Sequence, residues 1–273
     1  MRRRGQDAYV PDRLNFIEGL RGLAALYVVL GHFCSMADPR AFQHKPSYAP
    51  EWLQAVMAPF WQGHLAVAAF IAISGFCLQM SLFQGRDGKV DSLKRFFAKR
   101  ARRILPPYYA CLGISIAIAL TVTASQSGMP FEQYLPVTWE NVGAHVLLIH
   151  NLSAAWMYKI NGVLWSIAAE AQLYLLFPLL VWMVSKLGRN LSVLLTAAAS
   201  YFILAEAPAS VKLYPWYLAL FTVGIAAAHL SYRPVLKLGV APRLGLLGAA
   251  ACGLGCVYAV MADWAMPVSD ALI

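Results

Sequence analysis

The stretch that most constrains this chain is Leu14 to Met36, LNFIEGLRGLAALYVVLGHFCSM, apolar enough to cross a bilayer yet carrying Glu18, Arg21 and His32. A charge at membrane depth costs about 3 kcal/mol or more on insertion scales, so such residues face a protein interior or a water-filled cavity. At about 100° per residue, Arg21 and His32, eleven positions apart, return to nearly one azimuth after three turns, with Glu18 on the adjoining part of the stripe. The helix thus has one polar seam, and a rise of ~1.5 Å per residue sets the Arg and His roughly 16 Å apart along it. The ordinary reading of such a seam is a Glu18–Arg21 ion pair across one turn, with His32 near the far interface.

The whole chain agrees with a membrane setting. Of 273 residues, 60% are hydrophobic and 13% charged, which is no soluble globule. Apolar runs of spanning length fall near 15–36, 64–83, 106–124, 162–184, 191–206, 214–230 and 244–262, which predicts an all-α, polytopic bundle of about seven transmembrane helices. With a cytoplasmic N-terminus, the inner segments 1–13, 85–103, 185–190 and 231–243 hold 17 of the 22 Lys and Arg. That is the positive-inside pattern of a multi-pass protein of the inner or plasma membrane. The net charge of +9 is therefore an orientation signal spread over short segments, not a nucleic-acid face. Residues 142–158, VGAHVLLIHNLSAAWMY, would reverse the later topology if they spanned, and they read as a re-entrant or interfacial segment. The apolar run that follows the basic start is too long and too interrupted for a cleaved signal peptide and reads as a retained signal anchor. The five cysteines, at 34, 77, 111, 252 and 256, have neither metal nor disulfide-framework spacing. With no zinc cluster, nucleophile elbow or nucleotide-binding glycine loop, the chemistry is expected to be free of bound cofactor or metal.

Three further stretches carry polar groups that a membrane span does not need. In WQGHLAVAAFIAISGFCLQM, Ser74-Gly75-Phe76 sits in the latter half of a span, where Ser-Gly ordinarily means close helix packing. The basic loop RDGKVDSLKRFFAKRARRILPPYY precedes a Pro-Pro that is expected to open the next span. Such a loop serves as a topology determinant or a contact for anionic membrane lipid. Within it, Arg100 and Arg103 share a helical face, and two guanidinium forks there can each take a phosphate bidentately. In NGVLWSIAAEAQLYLLFPLL, Glu170 lies inside the membrane, Tyr174 follows one turn later on the same face, and Trp165 stands at interfacial depth. A buried Glu is either a neutral donor or the partner of a buried cation. His44, His145, His150 and His229 read as structural.

The frame EGLRGLAALYVVLGHF, the SGF triplet, Arg100-x-x-Arg103 and Trp165-Ser-Ile-Ala-x-Glu170 resemble, in order, four motifs of the membrane acyltransferase 3 family. Glu18 stands where the family usually has Asp. Ala69 and His64 replace an aromatic and a small residue, while Ile167 and Ala168 replace Leu and a second Ser, so Ser166 is given no catalytic role. The resemblance implies a single membrane acyltransferase domain over 1–273, C-terminally short beside relatives with about ten spans. It implies transfer of an acyl group, commonly acetyl, from acyl-coenzyme A in the cytosol to a hydroxyl of a carbohydrate or glycolipid acceptor of the cell envelope. On that reading Arg100 and Arg103 hold the donor's phosphates, and Arg21 guides or polarises the donor. His32, with an unperturbed pKa near 6.5, is the general base, and Glu170 orients it or holds the acceptor. Glu18, Ser74, Trp165 and Tyr174 complete the substrate-binding set. A covalent acyl relay is the alternative route. Two readings from other classes compete: a transporter or channel subunit with an intramembrane Glu/Arg/His path, and a lipid-binding scaffold.

Overall fold

The computed structural model describes residues 11–38, 40, 46–47, 49–85, 90, 92–125, 128, 131–206 and 214–232. Within them the chain is helical, and the order follows the apolar runs. The long helices are α1 (Pro11–Ala37), α3 (Gly63–Gly85), α4 (Leu93–Thr121), α7 (Trp165–Leu187), α8 (Arg189–Glu206) and α9 (Tyr217–Tyr232). Shorter pieces, α2 (Glu51–Met57), α5 (Trp139–Val146) and α6 (Ala154–Met157), lie between them. Six of the seven expected spans thus fall on helices, and the seventh, 244–262, lies outside the described residues. Four helical stretches are long and apolar enough to cross a membrane: Phe16–Ala37, Glu51–Phe83, Leu93–Ser125 and Trp165–Leu187. At 18 and 16 residues, α8 and α9 are the short members.

Residues 142–158 do not form a spanning helix. The chain there breaks into α5, a 3-10 turn at His150–Leu152 and α6, with Leu148 and Ile160 at positive φ of 54° and 65°. This agrees with a non-spanning segment. It is tied down by its own polar groups: Gln172 Nε2 donates to the Leu148 carbonyl at 2.8 Å and to Asn151 Oδ1 at 2.7 Å, and Tyr108 donates to the His145 carbonyl at 2.8 Å. His145 and His150 are fully buried and stack face to face, 3.8 Å between centroids at 9°. Burial lowers the pKa of both, and the neighbouring His145 helps push His150 down to about 4.

The basic stretch before Pro106-Pro107 departs from expectation. It is the opening of α4, not a loop: Ser92 caps the helix by accepting from the Arg95 amide at 3.3 Å, and the helix runs unbroken through both prolines. Proline removes two amide donors and disfavours helix in the residue before it. Here Tyr108 and Leu112, buried against Ile160 and Leu164, hold the following turns in place. The consequence is that Arg100 and Arg103 stand on a rigid helix whose other end is anchored in the core.

The tightest helix contact joins α3 to α9. A Cβ on Gly224 would stand 2.0 Å from the Ala72 carbonyl oxygen, and one on Gly75 would stand 2.3 Å from the Phe221 carbonyl oxygen. Only glycine permits that approach, so Gly75 of the SGF triplet does what its ordinary reading predicts. Around this contact lies the main core, in which Phe177, Phe221 and Ile225 are wholly buried. By contrast α1 rests on α3 and the 3-10 turn Ala58–Gln62, with Leu23, Leu26, Val29 and Phe33 exposed along its other side.

Candidate active site

Four helices, α1, α3, α4 and α7, line a half-open cavity of about 400 Å³. Its walls are mostly apolar: Ala24, Ala25 and Val28 from α1, Ala66, Val67, Phe70 and Ile71 from α3, Ile104, Pro107 and Tyr108 from α4, and Ile167 from α7. Into it come Arg21, Arg103, Ser166, Glu170 and Tyr174. Residues 21, 103 and 170, far apart in sequence and each singled out by its motif, thus meet in one space.

Each polar group has a definite support. The Arg21 guanidinium lies over the Phe70 ring, 4.6 Å from its centroid, a cation–π contact. The Glu18–Arg21 ion pair expected across one turn is not formed among the described residues, and Glu18 is exposed. Arg21 is instead turned toward α3, onto the Phe70 ring. Arg21 also reaches the Cys77 thiol on α3, which feels the charges of Arg103 and Glu18 as well. Glu170 Oε1 accepts two hydroxyls, from Ser74 at 2.7 Å and from Tyr174 at 2.5 Å. Ser74 is 1% exposed, so this bond is made in the dry interior of the helix packing.

Arg100 sits one turn before Arg103, close enough to feel Tyr174, Glu170, Arg103 and Arg21. Its guanidinium carbon is 5.9 Å from the Phe96 centroid, and Phe96 in turn stacks on Phe177 at 5.2 Å. Its Nε is buried without a hydrogen bond. The two motif arginines therefore lie along one face of α4, Arg103 in the cavity and Arg100 beside it.

Besides Glu18, which is exposed and does not line the cavity, two of the expected residues stand apart. His32, three turns along α1 from Arg21, is exposed and does not line the cavity. Trp165 is not at an open interface: it is 8% exposed and stacks on Tyr214 at 4.5 Å, inside an aromatic cluster with Tyr217. It sits one residue from cavity-lining Ser166, whose hydroxyl donates to the Val163 carbonyl at 3.2 Å. Sequence reasoning missed Phe70 and Tyr108. The signal for Phe70 was present in its spacing, since Phe70 and Ser74 are i and i+4 on α3 and share one face, Phe70 lining the cavity and Ser74 bonded to Glu170.

Residues 14–273 match the family model described as an acyltransferase domain. The O-acetyltransferase OatA of Staphylococcus aureus is 24% identical over 189 residues in strains NCTC 8325, COL and MRSA252, covering 66% of this chain and 26% of each relative. The chain thus spans about a quarter of the length of the curated relatives it matches. No solved structure matches it. A family model aligned to nearly the whole chain, over helices long and apolar enough to cross a membrane several times, establishes that this protein belongs to the membrane acyltransferase 3 family.

Proposed function

We propose that this protein is an integral-membrane O-acyltransferase that moves an acyl group, most simply acetyl, from acyl-coenzyme A to a hydroxyl of an envelope carbohydrate or glycolipid. The observation that carries the reading is the meeting of Arg21, Arg103 and Glu170 in one apolar-walled cavity. Guanidinium groups beside an apolar wall, Arg21 partly sheltered in it and Arg103 exposed at it, attract a phosphate-bearing ligand more strongly than they would in bulk water. An apolar pocket beside them suits the pantetheine arm of such a donor. The name of the staphylococcal relatives supports O-acetyl transfer.

In the proposed mechanism Arg100 and Arg103 take the donor's phosphates, entering from the cytosol, and Arg21 guides the donor's arm past the cavity along α1, so that the thioester reaches the His32 end of the helix. There His32 takes the acceptor hydroxyl's proton. The acceptor oxygen then attacks the thioester carbonyl, the new ester bond forms as the carbon–sulfur bond breaks, and the coenzyme A thiolate leaves to be protonated. All of this needs no bound cofactor. The proposed setting is the plasma membrane, with a cytoplasmic N-terminus, about seven spans and one membrane domain, and lipid around it. The test is transfer of labelled acetyl from acetyl-coenzyme A to glycan hydroxyls by the purified protein in proteoliposomes. Label on the acceptor with wild type, and none with Arg21→Gln, supports the proposal; thioester left intact by wild type in the presence of an envelope-glycan extract overturns it.

A further inference from the structure

Glu170 and two arginines share one cavity, yet the carboxylate pairs with neither. Arg21 and Arg103 line the space that Glu170 lines, and no ion pair joins Glu170 to either arginine among the described residues. Beside the apolar wall an unrestrained Glu would swing to a guanidinium within reach, because opposite charges attract more strongly at a protein surface than in bulk water. Something holds it back. Both restraints are visible: Ser74 and Tyr174 donate to the same oxygen, Oε1, at 2.7 and 2.5 Å. Both donors are themselves fixed, Ser74 being 1% and Tyr174 7% exposed, and Gly75 beside Ser74 is locked against the Phe221 backbone. Oε2 has no hydrogen bond among the described residues.

We infer that Ser74 and Tyr174 are positioning residues that leash Glu170 away from Arg21 and Arg103, so that the two cations stay free for an anionic ligand. The inference rests on the donor reading above but makes a separate claim. A carboxylate released from this leash competes with the ligand for the arginines. Removing the leash with Ser74→Ala and Tyr174→Phe together lets Glu170 pair with an arginine, and anion affinity falls on the order of tenfold. Removing the charge with Glu170→Gln leaves the arginines uncompensated, and affinity holds or rises. Placing Glu170→Gln on the double variant abolishes the competitor, and affinity returns.

The experiment is equilibrium binding of coenzyme A and, separately, of inorganic pyrophosphate to the purified full chain in detergent, for wild type, Tyr174→Phe, the double variant and the triple variant. The expected pattern is weakening in the single and more so in the double variant, with recovery in the triple. A merely structural role for the two hydroxyls predicts no recovery, because Glu170→Gln cannot restore lost packing, and that result overturns the leash. So does wild-type affinity in both Tyr174→Phe and the double variant. If the double variant does not fold, Tyr174→Phe with and without Glu170→Gln decides by the same recovery. Pyrophosphate binding with the expected pattern, but no coenzyme A binding, keeps the leash and removes the donor. Wild type that binds neither probe overturns both.

Discussion

The Arg21 guanidinium rests on the face of Phe70, 4.6 Å from the ring centroid, so the cation of α1 is positioned by an aromatic of α3 and not by the carboxylate three residues before it. A cation–π contact is worth about 0.5–2 kcal/mol, more when desolvated, and every ~1.4 kcal/mol is tenfold in affinity. Phe70→Leu should therefore weaken coenzyme A binding by about twofold to thirtyfold on that scale, while Phe70→Trp keeps it. Equal affinities for Leu and wild type, measured by equilibrium binding, would show that Phe70 only fills space.

How much of this site was legible in the sequence depended on whether a residue's role was local or tertiary. Arg21 and Glu170 announced themselves because a charge in an apolar span has no local explanation, and Arg103 because it shares a helical face with Arg100 in the basic stretch; the three do converge. Ser74 and Tyr174 were legible as polar positions on the right faces, but both are committed to Glu170, a tertiary fact that no spacing reveals. The α4 boundary was misplaced because Pro-Pro is a strong local stop signal, here overridden by the packing of Tyr108 and Leu112. Trp165 read as an interfacial belt residue, since nothing along the chain tells that Tyr214 will stack on it.

The α3–α9 contact gives a stability prediction with an internal control. Gly224→Ala puts a methyl carbon 2.0 Å from the Ala72 carbonyl oxygen, so the helices must separate, at a cost of about 1–3 kcal/mol or more by the scale of overpacking. Gly113, in the middle of α4, has nothing within 4 Å of the point a Cβ would occupy, and Gly113→Ala should hold or gain stability, by up to about 1 kcal/mol from helix propensity. Thermal unfolding followed by size-exclusion fluorescence checks the pair. A Gly224→Ala variant as stable as Gly113→Ala would contradict the close approach.

The stacked pair His145 and His150 predicts acid lability. Burial lowers both pKa values, His150 to about 4, from a solution value near 6.5. Above about pH 6.5 both imidazoles are neutral folded and unfolded, and they add no pH dependence. As pH falls from about 6.5 toward 4, the unfolded chain takes up protons that the folded chain refuses, so stability drops through that window and levels off below it. His150→Phe keeps an aromatic against His145 and removes that titration, so its melting temperature should fall less than wild type's between about pH 7 and about pH 4.5. Parallel slopes for the two proteins would sink the assignment.

The proposed topology places the N-terminal turn of α4 on the cytoplasmic side, where Arg95 lies ahead of the cavity arginines. Arg95→Cys in a cysteine-free background should react with a membrane-impermeant maleimide in inverted vesicles and not in intact cells. Labelling in intact cells would reverse the orientation and with it the entry side of the donor.

The most direct measurement separates binding from turnover along α1 and α4. Arg103→Lys keeps the charge but loses the bidentate fork, and should weaken coenzyme A binding while leaving the chemistry of any bound donor intact. His32→Ala removes the proposed base and should bind coenzyme A as wild type does, yet acetylate glycan hydroxyls roughly 10²–10⁴-fold more slowly. Binding by equilibrium titration and acetyl transfer in proteoliposomes, run on both variants at matched protein level, give the answer. A binding defect confined to Arg103→Lys and a turnover defect confined to His32→Ala is the predicted result; transfer at the wild-type rate by His32→Ala, or unchanged binding by Arg103→Lys, would contradict it.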